Sequence, residues 1–135
     1  MLKVKSMLVR DFMQPVVLRL SARQDIRNAI HLLQQHQLSG AVVVDGNGRL
    51  CGLLTERDCM KAAIRAAYHD EPGGVVGDYM ATEVITLTPT ESIADVARRF
   101  FSERYLRYPV IEDGQLVGVI SRSDIMRAID QYWQL

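Results

Sequence analysis

The sequence contains an internal repeat, and this repeat limits the possible folds more than any other feature. Val-Arg-Asp-Phe-Met at residues 9–13 returns as Val-Gly-Asp-Tyr-Met at residues 76–80. Gly-Leu-Leu-Thr-Glu-Arg-Asp at residues 52–58 returns as Gly-Val-Ile-Ser-Arg-Ser-Asp at residues 118–124. Each copy of such a repeat is one supersecondary unit that buries its apolar face against its sibling. We therefore expect two copies of one half-domain, with two related clefts.

Composition is that of an ordinary soluble globular protein. Of the 135 residues, 48% are hydrophobic and 24% are charged, which suffices for one domain with a proper core. The 16 basic and 16 acidic residues cancel, so no overall field attracts nucleic acid or a membrane surface. No apolar run approaches the ~20 residues of a membrane span, and no signal peptide is recognised. Cys51 and Cys59 fit buried thiols in a reducing cytosol. We expect a cytoplasmic protein that binds neither nucleic acid nor membrane.

The hydrophobic pattern of the first copy predicts the order strand, helix, strand, strand, helix. Continuous apolar or β-branched runs mark the strands, and apolar residues three to four apart mark the helices. The predicted elements are a strand at 16–20, a helix from Ser21 with Gln24 as its capping-box partner, a strand at 41–44, a strand at 50–54 and a helix from Glu56 to about Ala67.

The second copy predicts the same order. Thr88, Pro89 and Glu91 fit the N-cap, the first and the third positions of its first helix. The remaining elements are hairpin strands at 108–112 and 115–120 and a last helix at 123–130, followed by Tyr132 and Trp133 on a short tail.

Residues 69–75, rich in Pro, Gly and charge, form the predicted linker between the copies. The copies then span residues 1–68 and 76–135. The alternation of strand and helix predicts a mixed α/β fold of the α+β type. In this fold, two β-α-β-β-α motifs pack around a pseudo-twofold axis.

Each copy places a hydroxyl and a carboxylate three residues apart, where a strand meets a helix. The pairs are Thr55 with Asp58, and Ser121 with Asp124. The spacing permits two interpretations. In a capping box, both side chains return to backbone N–H groups of their own helix start. Alternatively, the helix N-terminus binds a phosphate to which the hydroxyl donates, and the carboxylate accepts hydrogen bonds from the hydroxyls of a ribose.

The ordered set of motifs resembles a tandem pair of cystathionine-β-synthase (CBS) domains. Gly–aliphatic–aliphatic–(Thr or Ser)–x–x–Asp follows a strand hairpin twice, each time after a Val-x-Asp-aromatic-Met opening, between Val9 and about Asp130. The resemblance implies a stand-alone, Bateman-type regulatory module with no further domain attached. It also implies that adenosyl compounds bind in the clefts between the two motifs, with AMP, ADP, ATP or S-adenosylmethionine as candidates and no required cofactor.

The resemblance assigns roles to the two motif pairs. It implies that Asp58 and Asp124 hold ribose hydroxyls and that Thr55 and Ser121 contact phosphate. Arg57 and Arg122, inside the same motifs, either add charge at a phosphate or lie solvated on the helix. The implied adenine walls come from the strands near Val17, Leu18, Val84 and Ile85 and from the hairpin strands.

A further cation is implied in the second copy only. Arg107 and Tyr108 lie in Leu-Arg-Tyr-Pro-Val at residues 106–110, where the family often has a basic residue beside the phosphates. The matching stretch of the first copy, residues 39–43, has no arginine. We therefore expect a ligand to prefer the cleft that contains Ser121 and Asp124.

We expect a binding module and not an enzyme, because no nucleophile or base has a catalytic partner. His31 and His36 are five residues apart and have no third ligand, so no metal site is expected. The alternative function is a ligand-free structural or protein-interaction module that acts through dimerisation. Under either function we expect a homodimer, formed through helical faces that carry Met60, Ala63, Ile64, Met126 and Ile129, and a regulated protein whose identity is unknown.

Overall fold

The computed structural model describes residues 7–69, 73–103 and 105–133. It has a mixed α/β fold, which confirms the predicted fold class. The helices are α1 (Val9–Phe12), α2 (Ile26–Gln35), α3 (Glu56–Tyr68), α4 (Ile93–Ser102) and α5 (Arg122–Trp133). The strands are β1 (Arg19–Leu20), β2 (Gly40–Val44), β3 (Leu50–Thr55), β4 (Arg107–Glu112) and β5 (Gln115–Ser121). Residues 70–72 of the predicted linker lie outside the described residues.

The chain divides into two compact units whose boundaries differ from those of the sequence repeats. The contiguous unit is Val17–Val84, and the two-segment unit combines Met1–Val16 with Ile85–Leu135. The opening motif of each copy therefore belongs to the unit that contains the strand hairpin of the other copy. A 3-10 helix, Val76–Asp78, occupies in the contiguous unit the place that α1 has in the two-segment unit.

The contiguous unit is built on a three-stranded sheet. β1 pairs with β2 in parallel, and β2 pairs with β3 antiparallel. Four of the five residues of β2 are buried, as expected of an apolar strand that is covered on both faces. The core of this unit consists of Leu20, Ile26, Ala29, Leu33, Ala41, Val43, Leu54, Ala62, Val76 and Tyr79.

The two-segment unit has a two-stranded sheet, in which β4 and β5 are antiparallel. Its predicted first strand is reduced to one parallel bridge from Leu87 to Val110, matching the pairing of Leu20 with Val43 in the contiguous unit. Its core consists of Met7, Val9, Phe12, Leu87, Ile93, Val96, Phe100, Tyr108, Val110, Ile120, Ile125 and Ala128.

The recurring glycine and methionine meet in the contiguous unit, where the chain returns against β3. Leu53 and Ala81 exchange two backbone hydrogen bonds, each 2.9 Å long. A Cβ atom on Gly52 would lie 2.7 Å from Sδ of Met80 and 2.8 Å from the carbonyl oxygen of Ala81. Both distances are too short for non-bonded atoms, so only glycine lets the two segments meet here.

The same contact recurs in the two-segment unit, between β5 and the residues after α1. Gln14 and Val119 exchange two backbone hydrogen bonds of 2.8 and 2.9 Å. A Cβ atom on Gly118 would lie 2.8 Å from Sδ of Met13 and 3.0 Å from the carbonyl oxygen of Gln14. The two motifs that recur in the sequence therefore contact each other, and each unit contains one such contact.

The predicted start of the first helix is wrong by about one turn. α2 begins at Ile26, and its N-cap is Asp25, whose carboxylate accepts a hydrogen bond from the Arg27 N–H. The Ser21 N–H donates to the side-chain oxygen of Gln24, and the Ser21 hydroxyl accepts from the Arg23 N–H. These hydrogen bonds close a turn that precedes the helix. The reason is a β-bridge between Asp25 and Val75, just before the opening motif of the second copy, which keeps the backbone extended up to Asp25.

The second copy shows the same displacement. α4 begins at Ile93 with Ser92 as its N-cap, while Thr88 and Glu91 form a turn closed by a 2.7 Å hydrogen bond. Ser92 is bridged to Leu8, so again a distant segment holds the N-cap residue extended.

Two smaller predictions are also wrong: the strand at 16–20 is only two residues long, and Tyr132 and Trp133 continue α5.

Candidate functional site

Thr55 and Asp58 form a reciprocal capping box where β3 meets α3. The Asp58 Oδ2 atom accepts hydrogen bonds from the Thr55 N–H and the Thr55 hydroxyl, both 2.9 Å long. In return, the Asp58 N–H donates to Thr55 Oγ1 at 3.3 Å. The capping interpretation of the spacing is therefore confirmed for this pair.

The capping box uses only one oxygen of Asp58. Between residues 7 and 133, excluding 70–72 and 104, no hydrogen bond reaches Asp58 Oδ1. The residue is 9% exposed. Because an ionised carboxylate offers about four acceptor positions, about two of them remain for a ligand. Capping and ligand binding are thus compatible at this residue.

The Asp124 carboxylate accepts the same two hydrogen bonds from its hydroxyl partner as the Asp58 carboxylate does, and two more. Its Oδ2 atom accepts hydrogen bonds from the Ser121 N–H at 2.8 Å and from the Ser121 hydroxyl at 3.0 Å. Its Oδ1 atom accepts from Arg127 Nη1 at 2.9 Å and from Gln14 Nε2 at 3.4 Å. The residue is only 3% exposed. All of its roughly four acceptor positions are therefore occupied within the two-segment unit.

The sequence carries a signal for Arg127 but none for Gln14. Arg127 lies three residues after Asp124 on one helix, a spacing at which opposite charges meet, and this signal was present. Gln14 is 110 residues from Asp124 in the chain, and its counterpart in the other copy is Ala81. No repeat pattern therefore marks it.

The strand register explains why only one copy carries the candidate phosphate cation. Arg107 stands opposite Ser121 in the two-segment unit, and Gly40 stands opposite Thr55 in the contiguous unit. A Cβ atom on Gly40 would lie 2.8 Å from the carbonyl oxygen of Leu54, so no arginine fits there without a shift of the backbone. Arg107 favours the second copy for ligand binding, whereas the uncommitted oxygen of Asp58 favours the first.

The other candidate residues lie in different surroundings. Arg57 is exposed on the first turn of α3, and Arg122 donates its Nε–H to the carbonyl oxygen of Tyr105 at 3.1 Å. The four predicted adenine contacts are divided between the two units. In the contiguous unit, Val17 is exposed, and Leu18 and Val84 are half-buried. In the two-segment unit, Ile85 packs against the core.

Tyr108, a predicted ligand contact, lies fully buried in the core of the two-segment unit. Its ring packs against Phe100 and Tyr105, with centroid distances of 4.7 and 5.4 Å. Within the described part of the chain, the hydroxyl has no hydrogen-bond partner. Burial, assisted by the charge of Glu103, raises the pKa of Tyr108 to about 12.

We expect Tyr108→Phe to leave the free energy of unfolding at pH 8 unchanged or raised by up to about 1 kcal/mol, because it removes an unpaired buried hydroxyl. The folded-state pKa lies above the ordinary value of 10, so stability is lost as the pH rises from 10 towards 12. At pH 11 the variant should gain about 1 kcal/mol over the wild type relative to pH 8. Urea denaturation at both pH values measures this. An identical pH dependence in the two proteins would contradict it.

Reactive cysteine thiols and a metal site have little support in the described residues. Burial raises the pKa of the Cys51 and Cys59 thiols, and both side chains pack against the core of the contiguous unit. No three His, Cys, Asp or Glu side chains with described positions come together as metal ligands. In the same part of the chain, no helix has the length and apolar character needed to cross a membrane.

Comparison with known sequences identifies the family to which these motifs belong. The model of the CBS domain matches residues 9–65 and 76–131. The uncharacterized protein MJ1225 of Methanocaldococcus jannaschii is 34% identical over 93% of the chain, which spans 44% of that relative. The CBS domain-containing protein YhcV of Bacillus subtilis is 31% identical over 87% of the chain, which spans 81% of that relative.

Solved structures with the same fold include proteins that bind adenosyl compounds. CBSX2 in complex with AMP is 26% identical, with a TM-score of 0.82 over 93% of this chain and 97% of that one. CBSX2 from Arabidopsis thaliana gives a TM-score of 0.81 at 26% identity, over 95% and 97% of the two chains. The CBS domain pair of MJ0100, in complex with 5′-methylthioadenosine and S-adenosyl-L-methionine, gives 0.79 at 25% identity, over 93% and 98%.

Proposed function

Because the chain belongs to the CBS domain family, we propose that it is a regulatory module that senses an adenosyl compound, with AMP as the first candidate. The observation that carries this proposal is the carboxylate of Asp58, which caps α3 through one oxygen and keeps the other uncommitted. The AMP complex of CBSX2 and the S-adenosyl-L-methionine complex of MJ0100 support the class of ligand.

In the proposed complex, the ribose hydroxyls donate to Asp58 Oδ1 and replace water there. The exposed Thr55 hydroxyl turns its hydrogen from Asp58 to the phosphate, near the positive end of the α3 dipole. Arg57 adds charge beside it. Val17, Leu18 and Val84 supply apolar surface for the adenine.

The module acts through a change in its own structure, without catalysis. A ligand shifts a conformational equilibrium only by its difference in affinity for the two states, typically 1–3 kcal/mol. We propose that a regulated protein recognises the ligand-bound state. The identity of that protein and the cytoplasmic location stay predictions.

A thermal-shift screen with AMP, ADP, ATP and S-adenosylmethionine tests this function. A ligand that binds only the folded state, present at 100 times its Kd, stabilises that state by about 2.7 kcal/mol. We expect at least one of the four compounds to raise the melting temperature, and GMP, which shares the ribose phosphate, to raise it less. If none of them changes the melting temperature at millimolar concentration, the sensing function is wrong.

Exposed apolar stripes on two helices favour the second candidate function, self-association. On α3, Met60 and Ile64 are one turn apart and are 62% and 54% exposed, and Tyr68 continues the stripe. On α5, Met126 and Trp133 are similarly exposed. Exposed apolar side chains in register on one helix face are typical of protein–protein contacts. We propose that these helices form a homodimer, with or without a nucleotide.

We expect Ile64→Asp to convert a dimer into a monomer in sedimentation velocity at micromolar concentration. A carboxylate in the centre of an apolar contact loses its hydration and weakens association by several kcal/mol. Ala66→Asp is the matched control, because position 66 is also exposed but faces away from Ile64 by two residues of helix rotation. A wild-type monomer, or an equal effect of the two variants, would exclude this interface.

A further inference from the structure

We propose that Gln14 and Arg127 form a latch on Asp124, so that an adenosyl ligand reaches this carboxylate only when the latch opens. The inference rests on the proposed function and concerns how the second copy is regulated. As a consequence, the Asp58 carboxylate is open to a ligand and the Asp124 carboxylate is latched. Ligand binding at Asp124 then changes the contacts of the opening segment, which we define as residues 7–16.

The first step is the hydrogen bonding of Asp124. A ribose hydroxyl has to replace a donor that is already present, because Oδ1 and Oδ2 each accept two hydrogen bonds. The Ser121 donors belong to the start of α5 itself. The replaceable donors are Gln14, whose contact is long at 3.4 Å, and Arg127, whose side chain is 42% exposed.

The second step is the attachment of the latch to the opening segment. Arg127 also donates from Nη2 to the Phe12 carbonyl oxygen at 2.8 Å, and its guanidinium lies 5.7 Å from the centre of the Phe12 ring. Gln14 belongs to the segment and pairs with Val119 through its backbone. A ligand that displaces both side chains from Asp124 therefore removes polar contacts that fasten residues 12–14.

The rest of the opening segment stays anchored when the latch opens. The N–H groups of Val9 and Arg10 donate to the carbonyl oxygens of Glu91 and Pro89, at 3.0 and 2.9 Å. Val9 and Phe12 are also buried in the core of the two-segment unit. The expected response is a local loosening of the segment end, without release of the segment.

The contiguous unit provides the contrast, because it lacks both parts of the latch. Ala81 stands where Gln14 stands, since each exchanges backbone hydrogen bonds with the residue after the recurring glycine. Lys61 stands where Arg127 stands, three residues after the aspartate, and makes no ion pair among the described residues. Two substitutions in the full chain, Gln14→Ala and Arg127→Lys, thus give the second copy the residues of the first.

AMP binding by calorimetry tests the latch. We expect the wild type to bind one AMP per chain with an affinity that Asp58→Asn weakens about 30-fold. We expect the double variant Gln14→Ala/Arg127→Lys to show a second site, about three- to tenfold tighter than any second binding by the wild type. Adding Asp124→Asn to the double variant should remove that site. A double variant that binds AMP with wild-type stoichiometry and affinity overturns the latch.

Amide hydrogen exchange gives a readout that does not depend on nucleotide. Without ligand, Gln14→Ala and Asp124→Asn should each raise the exchange rate of the Met13 amide several-fold, while Asp58→Asn leaves it unchanged. Equal rates in all three variants overturn the latch. The two proposals fail differently: AMP binding by the wild type with no effect of the latch variants excludes the latch alone, whereas no AMP binding by any of these proteins excludes both.

Discussion

Replacing Gly52 with alanine is expected to lower the free energy of unfolding by about 3 kcal/mol, the upper part of the usual range for overpacking. The new Cβ atom would lie 2.8 Å from the carbonyl oxygen of Ala81, a backbone atom that cannot rotate away. Relief requires β3 and the returning chain to separate, which lengthens the two hydrogen bonds between Leu53 and Ala81. Urea denaturation followed by circular dichroism measures the change.

Two other glycines make this a graded experiment. Gly118→Ala should lower the free energy of unfolding by less, about 1–2 kcal/mol, because the nearest backbone atom, the carbonyl oxygen of Gln14, is 3.0 Å from the new Cβ atom and not 2.8 Å. Gly46→Ala is the matched control, since apart from the adjoining residues no heavy atom lies within 4 Å of the new Cβ, and it should change the free energy of unfolding by less than about 0.5 kcal/mol. Equal stabilities of the Gly52 and Gly46 variants would show that the returning segment does not pack on β3.

Asp58→Asn is expected to weaken AMP binding by about 30-fold, because hydrogen bonds to a charged acceptor contribute about 1.5–3 kcal/mol. Asparagine keeps one oxygen of similar position, so it can still accept from the Thr55 N–H and cap α3. The free energy of unfolding should fall by no more than about 1 kcal/mol. Calorimetric titration with AMP and urea denaturation of the same preparations separate binding from folding.

Asp78→Asn is the matched control for the loss of a capping carboxylate. Asp78 Oδ2 accepts a hydrogen bond from the Val75 N–H at 3.0 Å, the same three-residue return that Asp58 makes to Thr55. This variant should bind AMP as the wild type does. Asp124→Asn should also bind AMP within about threefold of the wild type, because its carboxylate is occupied. A reversed order, with Asp124→Asn abolishing binding and Asp58→Asn harmless, would restore the ranking that Arg107 suggested.

The local structure around the candidate site follows from the sequence because short-range chemistry decides it. The apolar run of β2 predicts the strand, and the turn residues Asp-Gly-Asn-Gly at 45–48 predict the hairpin. The three-residue spacing of Thr55 and Asp58 predicts the capping box. Each of these depends on residues that are close in the chain. The family resemblance also depends on such motifs, and the CBS domain model confirms it.

The partners of the opening segments could not be predicted in this way. Met13 and Met80 are equivalent in the repeat, so the sequence pattern does not determine which recurring glycine each of them contacts. The structure places Met80 on Gly52 and Met13 on Gly118. Val75 and Leu8, which lie just before the two opening motifs, also bridge Asp25 and Ser92, and for this reason the two helices start about one turn later than the sequence predicts. The capping patterns that start at Ser21 and Thr88 do form hydrogen bonds, but these hydrogen bonds close turns that precede the helices.

A crystal structure of the protein with AMP tests the central claim most directly. We expect one or both ribose hydroxyls to lie within about 3 Å of Asp58 Oδ1, with the Thr55 N–H still bonded to Oδ2. A nucleotide bound elsewhere, with the Asp58 carboxylate in contact only with Thr55, would contradict the role assigned to this residue.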